Sequence, residues 1–184
     1  MAKRQMPRQK PGTSEQSVGT PGDFLVAVTR SLGIKQFAID LAADHQNYVC
    51  EPFFTREDDS LAQDWAPFCD TFDRWSWLNP EFSKLGPWLD KCWQERNKGA
   101  RIACLVPSSH GANWWSEHVA GKAYVRDLNG RLTFRGHEQP YPKDLALLIY
   151  APFLRGGSSI WRWRHSLPTD NVELERLVTI ARQG

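Results

Sequence analysis

Long apolar runs and paired cysteines are both missing from this 184-residue sequence. No stretch of about 18 apolar residues occurs, so we predict no membrane-spanning helix, and the basic N-terminus lacks the apolar segment of a secretory signal. The four cysteines form no C-x-x-C pair. They argue against a zinc site or a disulfide framework and predict reduced thiols in a cytoplasmic protein. The formal net charge of +2 is too small to indicate nucleic-acid binding.

Two common catalytic signatures are missing as well. The sequence has no G-x-S-x-G turn, which argues against a serine hydrolase, and no glycine-rich fingerprint of a dinucleotide site. No cluster of cysteine and histidine residues offers a metal site. What is present is an apolar fraction of 41% with nine tryptophans, which is enough for one domain core. We expect a disordered basic tail over residues 1–19 and a single folded domain over residues 20–184.

Strand and helix signals alternate along the predicted domain. Apolar residues at helical spacing predict helices over 20–33, 87–98, 113–119 and 172–181. In the first of these, Thr20 is expected as the capping residue and Pro21 as the first helical residue. Apolar runs predict buried strands over 37–39, 74–78, 101–106 and 145–150, with an edge strand over 160–163. Asn129-Gly130, between the runs 123–128 and 131–134, predicts a β-hairpin. Together these patterns predict a doubly wound α/β sheet that is mixed, mainly parallel, and ends in an antiparallel hairpin.

The loop Asn79-Pro80-Glu81-Phe82 follows the predicted strand 74–78, and ligands of open α/β sheets bind at the carboxyl ends of strands. The side-chain oxygen of Asn79 and the carbonyl of Pro80 are two acceptors that fit an amino group with two N–H bonds. Such dipoles stabilise the positive charge that develops when an amine attacks an electrophile, and Phe82 can stack on a base flipped out of a duplex. Taken alone, the tetrapeptide is more typical of an ordinary turn with Phe82 in the core.

The order of several short motifs carries a resemblance to a known family. In chain order they are Thr20-Pro21, the run Phe37 to Asp44 with Asn47 and Cys50, Phe54-Thr55, Asp59-Ser60-Leu61 with Asp64-Trp65, Asn79 to Ser83, Pro87-Trp88, Leu105-Val106-Pro107, Trp114-Trp115 and Asn129 to Phe134. From about Thr20 to about Tyr150 the chain resembles the phage-type DNA N6-adenine methyltransferases, a Dam-like family. The resemblance implies a Rossmann-like methyltransferase fold that uses S-adenosylmethionine, and methyl transfer to N6 of a flipped-out adenine.

The same resemblance assigns roles to individual residues. Asn79, Pro80 and Phe82 would be catalytic, the first two as acceptors and the third as the stacking ring. The residues expected at the S-adenosylmethionine site are Thr20, Pro21, Asp40, Asp44, Asp59 and Asp64. Asp40 would lie near the methionine or ribose end, and Asp59 or Asp64 near the adenosine. The family usually has proline where this chain has Glu81; three effects of that carboxylate stay open: help in binding a cationic donor, repulsion of DNA phosphates, or an altered substrate.

Double-stranded DNA is the partner that the resemblance implies. A basic loop at the predicted hairpin suits phosphate contacts, and its candidate residues are Arg131, Arg135, His137 and Lys143. An ordinary solvated surface explains these residues equally well. The resemblance implies neither a metal ion nor an obligate protein partner. It places the enzyme in the cytoplasm of a bacterial host, encoded by a phage or prophage.

Two other functions remain open on the sequence. One is methyl transfer to RNA or to a protein amide, because Asn-Pro-Pro-Tyr loops also serve enzymes with those substrates. The other is a catalytically silent DNA-binding or interaction module, with Glu81 as a sign of lost activity. The intact Asn79, Pro80, Phe82 and Asp40 argue against such a loss.

Overall fold

A six-stranded sheet of order β1-β2-β3-β5-β4-β6 lies at the centre of the computed structural model, which describes residues 19–165 and 172–183. The strands are β1 (Ile39–Asp40), β2 (Ser76–Leu78), β3 (Ile102–Pro107), β4 (Tyr124–Leu128), β5 (Leu145–Tyr150) and β6 (Gly157–Trp161). The α-helices are α1 (Gly22–Leu32), α2 (Leu85–Asn97), α3 (Asn113–His118) and α4 (Val172–Gln183). Apart from Gly19, the expected tail 1–19 lies outside the described residues.

Strand direction confirms the prediction of a mixed, mainly parallel sheet. β1, β2 and β3 pair in parallel, and β4 pairs in parallel with β6. β5 lies between β3 and β4 and is antiparallel to both. Among the described strands β5 therefore runs against the other five. The carboxyl ends of β1, β2, β3, β4 and β6 consequently meet at one edge of the sheet, together with the start of β5.

Helices cover both faces of the sheet, as a doubly wound arrangement requires. Alternate residues of β3 point to opposite faces, and they divide between two apolar clusters. Ala103 and Leu105 pack in the cluster that contains the buried residues of α1 and α4. Ile102, Cys104 and Val106 pack in the cluster that contains the buried residues of α2 and α3. All six residues of β3 and all six of β5 are buried, which explains their nearly continuous apolar sequences.

The predicted hairpin around Asn129-Gly130 is wrong. Residues 131–134 form no strand, because β5 and β6 already occupy both edges of β4. Asn129 instead donates its backbone N–H to the carbonyl of Trp161 at 2.9 Å and so prolongs the β4–β6 pairing. Leu132 and Phe134 are buried in the core. The alternating pattern of this segment therefore reflects a loop whose apolar side chains are buried in the core.

The first helix starts one residue later than its sequence signal predicts. Pro21 is the N-cap and Gly22 the first helical residue, with no side-chain cap hydrogen bond. Thr20 is therefore not the capping residue. Of the apolar stripe expected at Phe24, Leu25, Val28 and Leu32, all but the partly buried Leu25 are buried. Gly33 ends the helix at φ +66°, a conformation that favours glycine. The four cysteines are free thiols, and no helix in the described ranges is long and apolar enough to cross a membrane.

Candidate active site

The parallel pairing of β1 with β2 brings Asp40 and Asn79 to the same edge of the sheet. Asp40 is in register with Trp77, and the next residue, Leu41, donates its N–H to the carbonyl of Trp77 at 2.9 Å. β2 ends at Leu78, so Asn79 begins the loop just beyond the carboxyl end of the strand. The predicted position of the Asn79 loop relative to the sheet is confirmed.

Asn79 carries a buried acceptor without a donor. Its side-chain oxygen Oδ1 is inaccessible to solvent, and within residues 19–165 and 172–183 no hydrogen-bond donor reaches it. A buried acceptor left unpaired costs about 1–3 kcal/mol of free energy, so the position is unfavourable unless a ligand supplies a donor. Asn79 lines two adjoining cavities, and a ligand bound in either cavity would bring such a donor.

The smaller cavity is polar and encloses about 90 Å³. Its walls include two carboxylates, two amides and one guanidinium; these belong to Asp40, Asp44, Asn47, Asn79 and Arg135. Gly19 and Thr20 complete one side of it, and both are buried. The cavity therefore offers charges of both signs within a space of a few heavy atoms.

The larger cavity has a volume of about 430 Å³ and a more apolar wall. Leu41, Leu61 and Trp88 supply the apolar surface, and Asp59 and Glu81 supply carboxylates. The two cavities share Ala42, Ala43, Asp44 and Asn79. A flat apolar group with polar edges fits the larger cavity, and a small charged group fits the smaller one.

Asp40 is the buried acid of the site, with 2% of its surface exposed. Its Oδ2 accepts the backbone N–H of Val49 at 2.9 Å, and its Oδ1 accepts that of Ala42 at 3.2 Å. Burial raises the pKa of Asp40 to about 6, against the effect of these two hydrogen bonds, and the nearby charge of Asp44 adds to the rise. At neutral pH the carboxylate is therefore ionised but poorly solvated, so a cationic ligand group would stabilise it.

Phe82 belongs to a cluster of three rings beside the Asn79 loop. Its ring centroid lies 6.4 Å from that of Phe134 and 5.7 Å from that of Tyr141, both at edge-to-face angles. Phe134 and Tyr141 contact each other at 5.7 Å. Phe82 is half-buried, so it combines a fixed position with an accessible part of its surface.

A family profile described as DNA N-6-adenine-methyltransferase (Dam) matches residues 11–146. The chain belongs to the Dam family. A DNA N-6-adenine-methyltransferase of Escherichia phage T1 is 27% identical over 114 residues, which cover 62% of this chain and 45% of that protein. The chain thus spans about half the length of this curated relative. No solved structure matches the chain. The family predicted from the motif order is confirmed.

The predicted cofactor residues of this Dam-family chain divide into three groups. Thr20, Asp40 and Asp44 line the smaller cavity, and Asp44 and Asp59 line the larger one. Pro21 lies at the start of α1 and lines neither cavity. Asp64 also lines neither, because its carboxylate pairs with the Lys98 ammonium at 2.6 Å on the surface. Of the two alternatives for adenosine contact, the structure brings only Asp59 to the cavities.

The predicted DNA residues of the Dam-family chain lie on the segment between β4 and β5, which we call the 129–144 loop. Arg131, His137 and Lys143 are exposed, and the Arg131 guanidinium lies 3.7 Å from the carboxylate of Asp144. Arg135 is exposed as well, and it also lines the smaller cavity. The loop thus contributes both to the exposed surface and to the wall of the smaller cavity.

Sequence reasoning missed several parts of this Dam-family site. Gly19 and Trp77 line the smaller cavity, and Arg56 and Trp88 line the larger one. Trp88 and Asn47 had a signal, since both belong to the motifs that carry the resemblance. Gly19 had none, because the sequence does not show which loop folds against it. Within the described ranges no group of three or more His, Cys, Asp or Glu side chains could hold a metal ion.

Proposed function

We propose that this chain transfers a methyl group from S-adenosylmethionine to N6 of an adenine in double-stranded DNA. The observation that carries the proposal is the buried, unpaired Oδ1 of Asn79 at the junction of two cavities. Membership of the Dam family supports it. The mainly parallel sheet, with helices on both faces and one reversed strand between β3 and β4, supports a Rossmann-like methyltransferase fold.

The two cavities fit the two ends of S-adenosylmethionine. The larger, more apolar cavity suits the adenosine, with Asp59 as an acceptor for its polar edge. The smaller, charged cavity suits the amino-acid end, near Asp40, Asp44 and Thr20. When bound, this cofactor supplies an electrophilic methyl group on a positively charged sulfur. Because Asn79 lines both cavities, it would lie near the point where the two ends of the cofactor join.

The Asn79 loop acts on the adenine amine. The side-chain oxygen of Asn79 and the carbonyl of Pro80 accept its two N–H bonds, which draws the nitrogen lone pair out of the ring and stabilises the positive charge formed on attack. The proton leaves after transfer, so no strong general base is needed. Phe82 offers the ring on which a flipped-out base stacks, and the 129–144 loop holds that ring through Phe134 and Tyr141.

The 129–144 loop would supply contacts to the DNA phosphates. Arg131, His137 and Lys143 are exposed on the 129–144 loop, which packs against Phe82 through two of its rings. Cationic side chains beside the base-binding ring would hold the backbone of the duplex while one nucleotide leaves the stack. With this substrate, the proposed location is the cytoplasm of a bacterial host, and the proposed origin is a phage or prophage.

Radiolabelled methyl transfer tests the proposal. The chain is incubated with labelled S-adenosylmethionine and unmethylated duplex DNA, RNA or protein, and the products are digested and separated. We expect label in N6-methyladenine from DNA, and a loss of at least about 100-fold in Asn79→Ala, because an acceptor for the developing charge is removed. Asn113→Ala is the matched control, since Asn113 is exposed at the start of α3, and it should keep full activity.

Other outcomes of the same experiment contradict the proposal. Label in RNA or protein with none in DNA would assign a different substrate. Binding of S-adenosylmethionine without transfer to any of the three would refute enzymatic activity. Absence of cofactor binding would favour a silent DNA-binding module.

A further inference from the structure

Arg135 is tied to the cofactor site by its position in the fold. Its backbone N–H donates to the carbonyl of Gly19 at 2.8 Å, and its side-chain Nε donates to the carbonyl of Thr20 at 2.7 Å. These two bonds fasten the 129–144 loop to the segment before α1. They also fix the plane of the guanidinium, because Nε can donate along only one direction.

The two terminal amino groups of the Arg135 guanidinium are available to bind a ligand. An arginine carries five N–H donors, and the bond to Thr20 uses the one on Nε. Within residues 19–165 and 172–183, the two terminal amino groups form no hydrogen bond or ion pair. The side chain lines the smaller cavity, whose other charged residues are Asp40 and Asp44. One cation therefore faces two anions across a space of about 90 Å³.

We propose that Arg135 binds the α-carboxylate of the cofactor's amino-acid end, while Asp40 and Asp44 face its α-ammonium group. The proposal rests on the function proposed above. The methionine end of S-adenosylmethionine is a zwitterion, and the smaller cavity offers a partner of the right sign for each of its charges. A guanidinium matches a carboxylate with two parallel N–H···O bonds. Arg135 is therefore a cofactor residue, and its neighbours on the loop are the phosphate contacts.

Close packing at Gly19 supports a preformed position for this guanidinium. A Cβ added to Gly19 would lie 2.9 Å from Oδ1 of Asn47 and 3.2 Å from Cδ of Arg135. The Arg135 stem thus lies directly against the Gly19 backbone and has little room to move toward it. A side chain held in this way loses less conformational entropy when it binds a ligand.

Comparing the binding of three ligands shows whether Arg135 contacts the carboxylate of the cofactor or only shapes the cavity. Titration calorimetry measures the dissociation constants of S-adenosylmethionine, of its decarboxylated analogue, and of 5′-methylthioadenosine, which lacks the whole amino-acid end. The wild-type chain should bind S-adenosylmethionine about tenfold more tightly than the decarboxylated analogue, as a hydrogen-bonded charge contact provides. Arg135→Ala should abolish that preference and leave the dissociation constant of 5′-methylthioadenosine unchanged. Arg135→Gln should behave in the same way.

Lys143→Ala is the matched control, because Lys143 is an exposed cation on the same loop. It should weaken DNA binding and leave all three small-molecule dissociation constants unchanged. Equal weakening of the three ligands in Arg135→Ala would show that Arg135 only shapes the cavity, and would overturn the inference. If Arg135→Ala bound the cofactor as the wild type does but bound DNA more weakly, Arg135 would be a phosphate contact instead, and the inference would be wrong. A wild-type chain that binds none of the three ligands would refute the proposed function itself.

Discussion

At the scale of single residues, Asn79 and Glu81 lie in one loop and face the same larger cavity. Asn79 contributes a neutral acceptor that is buried, and Glu81 contributes a carboxylate that is exposed. The hydroxyl of Ser83 donates a hydrogen bond to that carboxylate. A neutral dipole and a negative charge act differently on a positively charged donor, because the charge acts at longer range and is screened by solvent and salt.

Replacement of Glu81 by proline tests whether this departure from the usual family loop tunes or disables the proposed methyl transfer. We expect Glu81→Pro to keep the turnover number and to raise the KM for S-adenosylmethionine by up to about fivefold, since an exposed charge contributes up to about 1 kcal/mol. Steady-state kinetics with duplex DNA give both constants. Glu81→Gln keeps the side-chain shape and removes the charge, so it should raise the KM equally. A tenfold higher turnover number in Glu81→Pro would mean that the carboxylate disables the enzyme.

The sequence predicts the place of Asn79, but it does not predict that Arg135 lines the smaller cavity, and the reason is physical. Asn79 follows directly on a buried strand, so the strand fixes where its side chain begins. Arg135 lies in a loop, and the loop's path depends on Leu132 and Phe134, which are buried at 1% and 4% exposure. Where those two side chains pack is decided by the rest of the core, which a local pattern does not contain.

At the scale of elements, one buried acid of α2, Glu95, holds the segment of Trp65 and Ala66. The indole N–H of Trp65 in turn donates to the carbonyl of Ser60 at 2.9 Å, and Ser60 lines the larger cavity. Oε2 of Glu95 accepts the backbone N–H groups of Trp65 at 2.8 Å and Ala66 at 3.0 Å. Its Oε1 lies 2.9 Å from the Lys91 ammonium and 2.8 Å from that of Lys98. Burial alone would raise the pKa of Glu95, but hydrogen bonds from the two lysines and the two amides lower it to about 2.

Loss of this acid should destabilise the chain and disturb the cavity. Glu95→Gln should lower the free energy of unfolding by about 3 kcal/mol at pH 7, because two backbone amides and two ammonium groups lose a charged acceptor. Since the folded-state pKa lies below the ordinary value of 4.5, the stabilisation is full above about pH 4.5 and declines as the pH falls toward 2. Urea unfolding at pH 7 and at pH 3 measures both effects.

Glu138→Gln is the control for that measurement, because Glu138 is exposed. Its free energy of unfolding should stay within about 0.5 kcal/mol of the wild type at both pH values. If Glu95→Gln differed from the wild type equally at pH 7 and pH 3, the lowered pKa would not contribute to stability.

The two longest buried strands were predicted closely, whereas β1 and β2 each begin two residues later than predicted and the hairpin does not form. The strands β3 and β5 have the boundaries expected from their apolar sequences to within one residue, because burial on both faces leaves little choice of residue type. The hairpin signal at Asn129-Gly130 is local, and it does not show that β5 and β6 compete for the edges of β4. Pairing with distant strands decided the outcome.

At the scale of the whole molecule, one edge of the sheet carries the site and the exposed cations of the 129–144 loop. The opposite edge lies near the start of each parallel strand and includes Lys35, which precedes β1. The net charge of +2 is small, so the position of the cations decides where a duplex would bind.

DNA binding should therefore depend on which edge loses a cation. In a fluorescence-anisotropy titration with a labelled duplex at several salt concentrations, Lys143→Ala should weaken binding and make the slope of log K against log salt shallower by about 0.9, the value for one lost phosphate contact. Lys35→Ala removes the same charge from the other edge and should change neither quantity. Equal effects of the two substitutions would mean that binding follows total charge, without a defined surface.

The reversed direction of β5 has a consequence for how this chain can change over time. Because β4 ends and β5 begins at the same edge, the 129–144 loop leaves and re-enters the sheet on the side of Asn79 and needs no crossing of the core. Its residues 136–140, which follow the anchored Arg135, are exposed, and lengthening a surface loop adds little to the entropy cost of folding. Insertions at this point extend the molecule beside the two cavities and leave the strands in register. If the chain methylates DNA as proposed, this loop is where such insertions would alter the preferred DNA sequence.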